Sequence, residues 1–335
     1  MTFRNQATWP KTKSNLKRTT MQRILITGGS GFIGLHLAEF FSSQGYEVTI
    51  FDKNWTICSA PIKIVVGDLM NEQLLSKTFA ENDVIIHAAG VLGTHETVSD
   101  PATAVHHNVI GSLNVLNAAT KLQRPILCIS KPNVWLNPYS ISKDSMEKFC
   151  YMYAKEYGTR VSILKLFNVY GPRQKYRKIQ KAIPTWIVQM LQGEPVEVFG
   201  SGNATMDLIN VHDVCRGISG ILENFDACAI AANESLAVGV HSSFPDLERQ
   251  VLQMGSGTEI SVCATIEEIA RVINRPHAMK FVPMRRGEVD GTRLCADNNR
   301  LTQLTKFQPK IALKDGLRAT VDYYVNNIND VLSEN

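Results

Sequence analysis

From Gln22 onward, short runs of β-branched and aliphatic residues alternate with stretches whose apolar positions recur every three or four residues. The runs RILITG (23–28), YEVTIF (46–51), IKIVV (62–66), VIIHAA (84–89), PILCIS (125–130) and VSILKLF (161–167) predict six strands. Between them the spacing predicts a helix ending near Gln44, with Leu37, Phe40 and Phe41 on its inner side, and further helices over 108–122 and 139–156. Strands joined through helices pair in parallel, so the expected fold is α/β: a doubly wound parallel sheet covered by helices on both sides. After Gly171-Pro172 the rhythm loosens. Helices are expected over 183–192, 211–223, 266–273 and 313–325, with a short strand at 196–199 and a loop over 233–248. This half reads as a smaller, partly interleaved α/β lobe.

Composition changes that picture little. A chain of 335 residues with 44% hydrophobic content can bury a full core. The formal charge is +4, but the first twenty residues hold five basic side chains and no acidic one, which leaves the rest at −1. The excess sits on an expected disordered extension, residues 1–20, and not on a folded face, so no nucleic-acid partner is expected. Charged or turn residues divide every hydrophobic run before the roughly 18 residues that span a bilayer, and no membrane association is expected. The seven cysteines are scattered, without the close pairing that structural zinc needs, which predicts reduced thiols, no metal and a cytoplasmic location.

The candidate chemistry begins where the first strand runs into Gly28-Gly29-Ser30-Gly31-Phe32-Ile33-Gly34 and then a helix. Glycines at 28, 31 and 34 permit a tight turn and close backbone approach to a pyrophosphate. The helix start at Phe32 and Ile33 offers unpaired N–H groups to it. That is a dinucleotide site. Asp52 closes the second strand about twenty residues on, where a carboxylate accepts the ribose diol and repels a 2′-phosphate, favouring NAD; neighbouring Lys53 is the one feature compatible with NADP. Asp68 and Leu69 follow the third strand as candidate cofactor contacts, Asp68 placed for the adenine amino group. Ala88, Ala89 and Gly90 end the fourth and let backbone approach the cofactor. His87 is expected to be a packed, hydrogen-bonded histidine.

Downstream lie Tyr139 and Lys143, four apart on one helix face introduced by Asn137-Pro138. A free tyrosine has a pKa of about 10, and lowering it by roughly three units corresponds to about 4 kcal/mol, which a neighbouring ammonium and a cationic nicotinamide ring can supply. Tyr139 is then the base and Lys143 its electrostatic support.

With TGGSGFIG (27–34), GDL (67–69), HAAG (87–90), NVIGSLNVL (108–116), YSISK (139–143), LFNVYGPRQ (166–174) and VPMRRGEV (282–289) in this order, the chain resembles the extended short-chain dehydrogenase/reductases, specifically the nucleotide-sugar epimerase/dehydratase group. The resemblance implies a Rossmann domain formed by 21–172 plus roughly 207–240, and a nucleotide-sugar lobe formed by 173–206 plus roughly 241–335. It implies that Asn108 lines the cofactor or sugar site, that Asn168 bonds the nucleotide diphosphate, that Arg285 pairs with phosphate, and that Phe199 and Glu288 belong to the same substrate site. It further implies a homodimer through the helices that begin near Asn108 and Tyr139. Two positions depart from the group's pattern: alignment of the catalytic Ser/Thr lands on Lys131, with Ser130 one residue earlier, and Met206 stands where an arginine is usual. Ser130 is taken as the catalytic hydroxyl.

Lys131-Pro132-Asn133 supplies no acidic pair of the kind a 4,6-dehydratase uses, so C4 epimerisation of a nucleotide-diphosphate sugar through a 4-keto intermediate is the favoured expectation. The alternatives are a dehydrogenase/reductase, a decarboxylase, a C3/C5 epimerase using Thr94, His95 and Glu96, or a nucleotide-sensing protein without turnover.

Overall fold

The computed structural model describes residues 22–56, 58, 60–132, 134–176, 179–231 and 248–333. The basic extension and the loop expected over 233–247 lie outside them. The six strands read from the sequence form as β1 (Arg23–Thr27), β2 (Glu47–Asp52), β3 (Lys63–Val66), β4 (Val84–His87), β5 (Ile126–Ser130) and β6 (Val161–Leu166). The chain continues through β7 (Asn168–Tyr170), β8 (Val196–Phe199), β9 (Thr205–Asn210), β10 (Leu252–Met254), β11 (Glu259–Ser261) and β12 (Met279–Val282). The large sheet is parallel, with order β10-β6-β5-β4-β1-β2-β3, and is the Rossmann arrangement expected. Two small sheets, β11-β9-β7 and β12-β8, belong to the second lobe.

Strand periodicity explains how the large sheet is buried on both faces. Ile24 and Ile26 point to one side, where Leu37 and Phe41 of helix Phe32–Ser43 and Val214 and Ile218 of helix Val211–Glu223 cover them. Leu25 points to the other, into a cluster with Leu75, Val115, Met146 and Cys150 from helices Glu72–Ala80, Gly111–Lys121 and Pro138–Tyr157. A third core joins Trp186, Ile187, Val198, Ile269 and Tyr324 in the small lobe.

The division of the chain differs from the expected one at β7 and β9, which fall wholly or mostly within the stretches expected in the Rossmann domain yet pair in the small sheet β11-β9-β7, and at β10. β10, within the stretch assigned to the small lobe, pairs with β6 as the seventh strand of the large sheet, and Leu301 and Phe307 join the same core. At three residues β10 is too short to carry a readable period. Among the described residues no helix is long and apolar enough to cross a membrane and no cluster of His, Cys, Asp and Glu could hold a metal. All seven cysteines are free.

Candidate active site

The glycine turn is built by exclusion. Gly28 has φ +72°, and a Cβ there would lie 2.6 Å from the backbone of Ala89, so the turn and the end of β4 touch through backbone alone. A Cβ on Gly34 would fall inside the contact radius of the Gly28 carbonyl oxygen. Gly31 caps helix Phe32–Ser43 with no side-chain bond, and the first turn holds no acid, so the N–H groups opening at Phe32 and Ile33 face outward with their dipole unneutralised. Asp52 accepts from the Ser30 N–H at 3.0 Å and the Asn54 N–H at 3.0 Å, which fixes its carboxylate beside the turn. A carboxylate so held keeps lone pairs for a ribose diol. Lys53, the feature compatible with a 2′-phosphate, is paired with Asp68 at 3.0 Å. Burial opposes charge on Asp68, but the Met70 N–H and Lys53 outweigh it and hold the carboxyl below its ordinary range. The Leu69 carbonyl accepts from Asn114 at 3.1 Å, and the Ala88 N–H donates to Thr27 at 3.1 Å. Gly28, Gly31, Phe32, Ile33, Gly34, Asp52, Asp68, Ala88, Ala89 and Gly90 thus share one end of the sheet, and the cradle fits a dinucleotide.

Beneath it, His87 is fully buried between Thr27 Oγ1 at 2.7 Å and Ser112 Oγ at 2.9 Å. Ser112 spends its proton on the Asn108 carbonyl at 2.6 Å, so His87 carries its proton on Nε2 and accepts at Nδ1. Burial, and then Lys143, pull its pKa down to about 3; it is neutral and structural. Asn108 lies in a single π-helical turn, His106–Ile110, set between helix Pro101–Val105 and helix Gly111–Lys121. Such a turn redirects one side chain. Asn108 Nδ2 donates to the Val91 carbonyl and to Ser142 Oγ, each at 3.0 Å, and Oδ1 accepts from the Val91 N–H at 2.7 Å. Through these three bonds Asn108 braces the strand exit against the Tyr139 helix.

That helix, Pro138–Tyr157, starts where Asn137 accepts from the Ser140 N–H at 2.9 Å, a cap contributing about 1 kcal/mol. Tyr139 is half-buried beside the end of β5, and Lys143 is buried one turn on. Their electrostatics differ from expectation. Lys143 Nζ donates to the Ile129 carbonyl at 2.6 Å, no hydrogen bond joins it to Tyr139 among the described residues, and burial pushes the Tyr139 phenol up. The protein alone keeps Tyr139 protonated, because desolvation of the phenolate exceeds what a lysine turned to a carbonyl returns.

Ser130 also departs from expectation. Its hydroxyl donates to Glu147 on the same helix, whose other oxygen meets Lys165 at 3.2 Å, and Lys165 meets Glu248 at 2.7 Å. Ser130 is therefore locked into a buried network and is withdrawn as a candidate catalytic hydroxyl. Lys131 lies on the Tyr139 side instead: its Nζ is 5.1 Å from the centre of the Tyr139 ring and donates to Ser140 Oγ at 2.9 Å and the Pro132 carbonyl at 2.7 Å.

The small lobe faces this centre with paired charges. Arg285 stacks 4.8 Å from the centre of the Phe199 ring and makes a bidentate pair with Glu288, at 2.7 and 3.2 Å. Glu288 also accepts from Thr94, and Asn137 Nδ2 donates to the Gly287 carbonyl at 2.8 Å, so the 285–288 segment closes onto the loop after β4 and onto the Tyr139 helix cap. Thr94 and Glu96 face these charges while His95 is exposed. Asn168, on β7, leaves its buried Nδ2 without a partner among the described residues. Met206 lies on β9 opposite Ile260 and packs into the lobe core.

The sequence profile described as "NAD dependent epimerase/dehydratase family" matches residues 24–131 and 128–239, more than half of the chain. The chain belongs to that family. NAD is the family's cofactor, and its enzymes act on nucleotide sugars as epimerases, decarboxylases and dehydratases. Among curated relatives, the UDP-glucuronic acid decarboxylase 1 of Xenopus tropicalis is 26% identical over 92% of this chain and 73% of its own length. An epimerase from Methanothermobacter thermautotrophicus has a TM-score of 0.81 at 21% identity, covering 94% of this chain and 95% of its own, and shows the shared fold. The UDP-glucuronic acid 4-epimerase of Bacillus cereus, solved with UDP-glucuronic acid and NAD, has a TM-score of 0.76 at 25% identity over 91% of this chain and 99% of its own.

Measured against its family motifs, the chain's unread partners are Glu147, Ser142 and Lys181. Glu147 had a signal, since it falls four residues after Lys143 on the same inward helix face. Lys181, at the start of helix Ala182–Gln192, is pulled below the usual lysine range by burial, with Glu96, Arg285 and Glu288 around it. Nothing in its local sequence marks it.

Proposed function

We propose that this protein epimerises a nucleotide-diphosphate sugar at C4 through a transient 4-keto intermediate. NAD, when bound, takes a hydride from the sugar carbon and returns it. The protein's part is to hold and move a proton: Tyr139 accepts it from the C4 hydroxyl and gives it back, once the positive ring charge has offset the burial that otherwise keeps the phenol protonated. The observation that carries the reading is the buried Asn168 Nδ2, without a partner among the described residues, and the Arg285–Phe199 stack of the same lobe supports it. A donor and a guanidinium together anchor a diphosphate, leaving the sugar ring ungripped and able to present either face. Arg285 would exchange Glu288 for phosphate on binding. The strand exit at Ser130 and Lys131 brings a base-side cation and not an acid, which supports epimerisation over 4,6-dehydration.

Decarboxylation of a uronic acid is the second reading, favoured by the decarboxylase relative and by the cations Lys131 and Lys181 near the sugar side. Purified protein given UDP-hexoses and UDP-hexuronic acids is expected to interconvert C4 epimers without added reductant, followed by NMR of the sugar. Loss of carbon dioxide would make it a decarboxylase, accumulation of NADH a dehydrogenase, and NAD binding without turnover a sensor. We also propose a homodimer through the helices carrying Ile110 and Ile141, which are exposed at 41% and 48%; a monomer in light scattering would overturn it.

A further inference from the structure

Consecutive side chains leaving a strand point to opposite sides. Because Ser130 points inward to Glu147, Lys131 must point toward Tyr139, and its ammonium sits by that ring with two of its three protons given to Ser140 Oγ and the Pro132 carbonyl. The third has no acceptor among the described residues. The short link to Asn137 holds it there, since Trp135 Nε1 ties the loop to Thr292 of the small lobe at 2.8 Å.

We propose that Lys131 grips the reacting sugar oxygen with that third proton, doing with a charge what a neutral hydroxyl would do. The proposal rests on the epimerase reading. Tyr139 accepts the hydroxyl proton, the C–H electron pair leaves as hydride to the bound dinucleotide, and the C–O bond becomes a carbonyl. Lys131 transfers nothing; it keeps its proton on nitrogen and offsets the negative charge building on oxygen, and the reverse sequence restores the alcohol. A charged donor is stronger than a hydroxyl toward such an oxygen. It is also one that alkali removes. Burial, with Lys143, Lys165 and Lys181 facing it and Glu147 opposing them, brings Lys131 down to about 8. The ammonium is present below that value and lost above it, so kcat should fall on the alkaline side as Lys131 deprotonates.

The test uses the NAD-loaded full chain and the variants Lys131→Met, Lys131→Ser and Lys131→Arg. Lys131→Met is expected to lose roughly 100- to 1000-fold in kcat, with Lys131→Arg recovering part of it and Lys131→Ser losing the alkaline limb. Activity of Lys131→Met within about threefold, or an unchanged alkaline limb in Lys131→Ser, would each overturn the proposal. If the unsubstituted protein turns over no sugar nucleotide, the epimerase reading falls, and calorimetry decides Lys131 alone. A UDP-hexose must then bind Lys131→Met more weakly while UDP binds both proteins alike; equal UDP-hexose affinity overturns it.

Discussion

The two sides of the cleft are made of different material. On the cofactor side, Gly28, Gly34 and Ala89 meet backbone to backbone, and the Asp52 carboxylate is fixed by two N–H groups. On the sugar side the surfaces are ends of long side chains that satisfy one another: Arg285 with Glu288, Glu288 with Thr94, Lys131 with Ser140. Excluded volume sets the first shape and exchangeable ion pairs the second. A change on the first side should therefore damage fold and cofactor binding together, and one on the second should retune chemistry within an intact fold.

The largest effect is expected between the two sides. Tyr139→Phe removes the proton acceptor, and turnover should fall by about 10²–10⁴ with NAD content unchanged by ultraviolet absorbance of the denatured supernatant. Retained activity would take Tyr139 out of the chemistry. Gly34→Ala should abolish NAD binding and destabilise the protein by about 1–3 kcal/mol, because the intruding Cβ meets the carbonyl of Gly28 and not a side chain that can rotate away; thermal melts with and without NAD check both. Arg285→Ala, its counterpart on the sugar side, should raise KM about tenfold, or about 1.4 kcal/mol, with the melting temperature unmoved. If Gly34→Ala and Arg285→Ala behave alike, the contrast between the two sides fails.

The remaining effect concerns acid. His36, buried and held by burial and then Arg173 at about 3, and His87, also at about 3, are neutral in the folded chain, whereas an unfolded histidine titrates near about 6.5. Both folded values are lowered, so the full contribution exists above about 6.5. As pH falls toward 3 the unfolded chain takes up protons that the native one refuses. Stability should drop by up to about 1.4 kcal/mol per pH unit for each histidine. Urea midpoints between pH 7 and 5 measure this, and His36→Phe should flatten the slope.

The sequence exposed the cofactor side more completely than the sugar side, and the reason is the same contrast. Six strands and the helix Val211–Glu223 follow local periodicity, and the glycine turn needs no distant partner to be read. β10 and β12 are short, and β12 is largely exposed, so neither carries a period. Tyr139 and Lys143 were visible through their spacing. Which way Ser130 and Lys131 face was not, because it depends on Glu147, seventeen residues from Ser130, taking the serine proton. The direction of the Lys143 ammonium was hidden similarly: spacing places a lysine near a phenol but does not say that a carbonyl on β5 claims it.

The late position of β10 bears on how the polypeptide is made. A ribosome has completed β6 long before Leu252 emerges, and in that interval the outer edge of β6 is an open template for any extended chain nearby. Shortened products that stop before Met254 should consequently associate and precipitate.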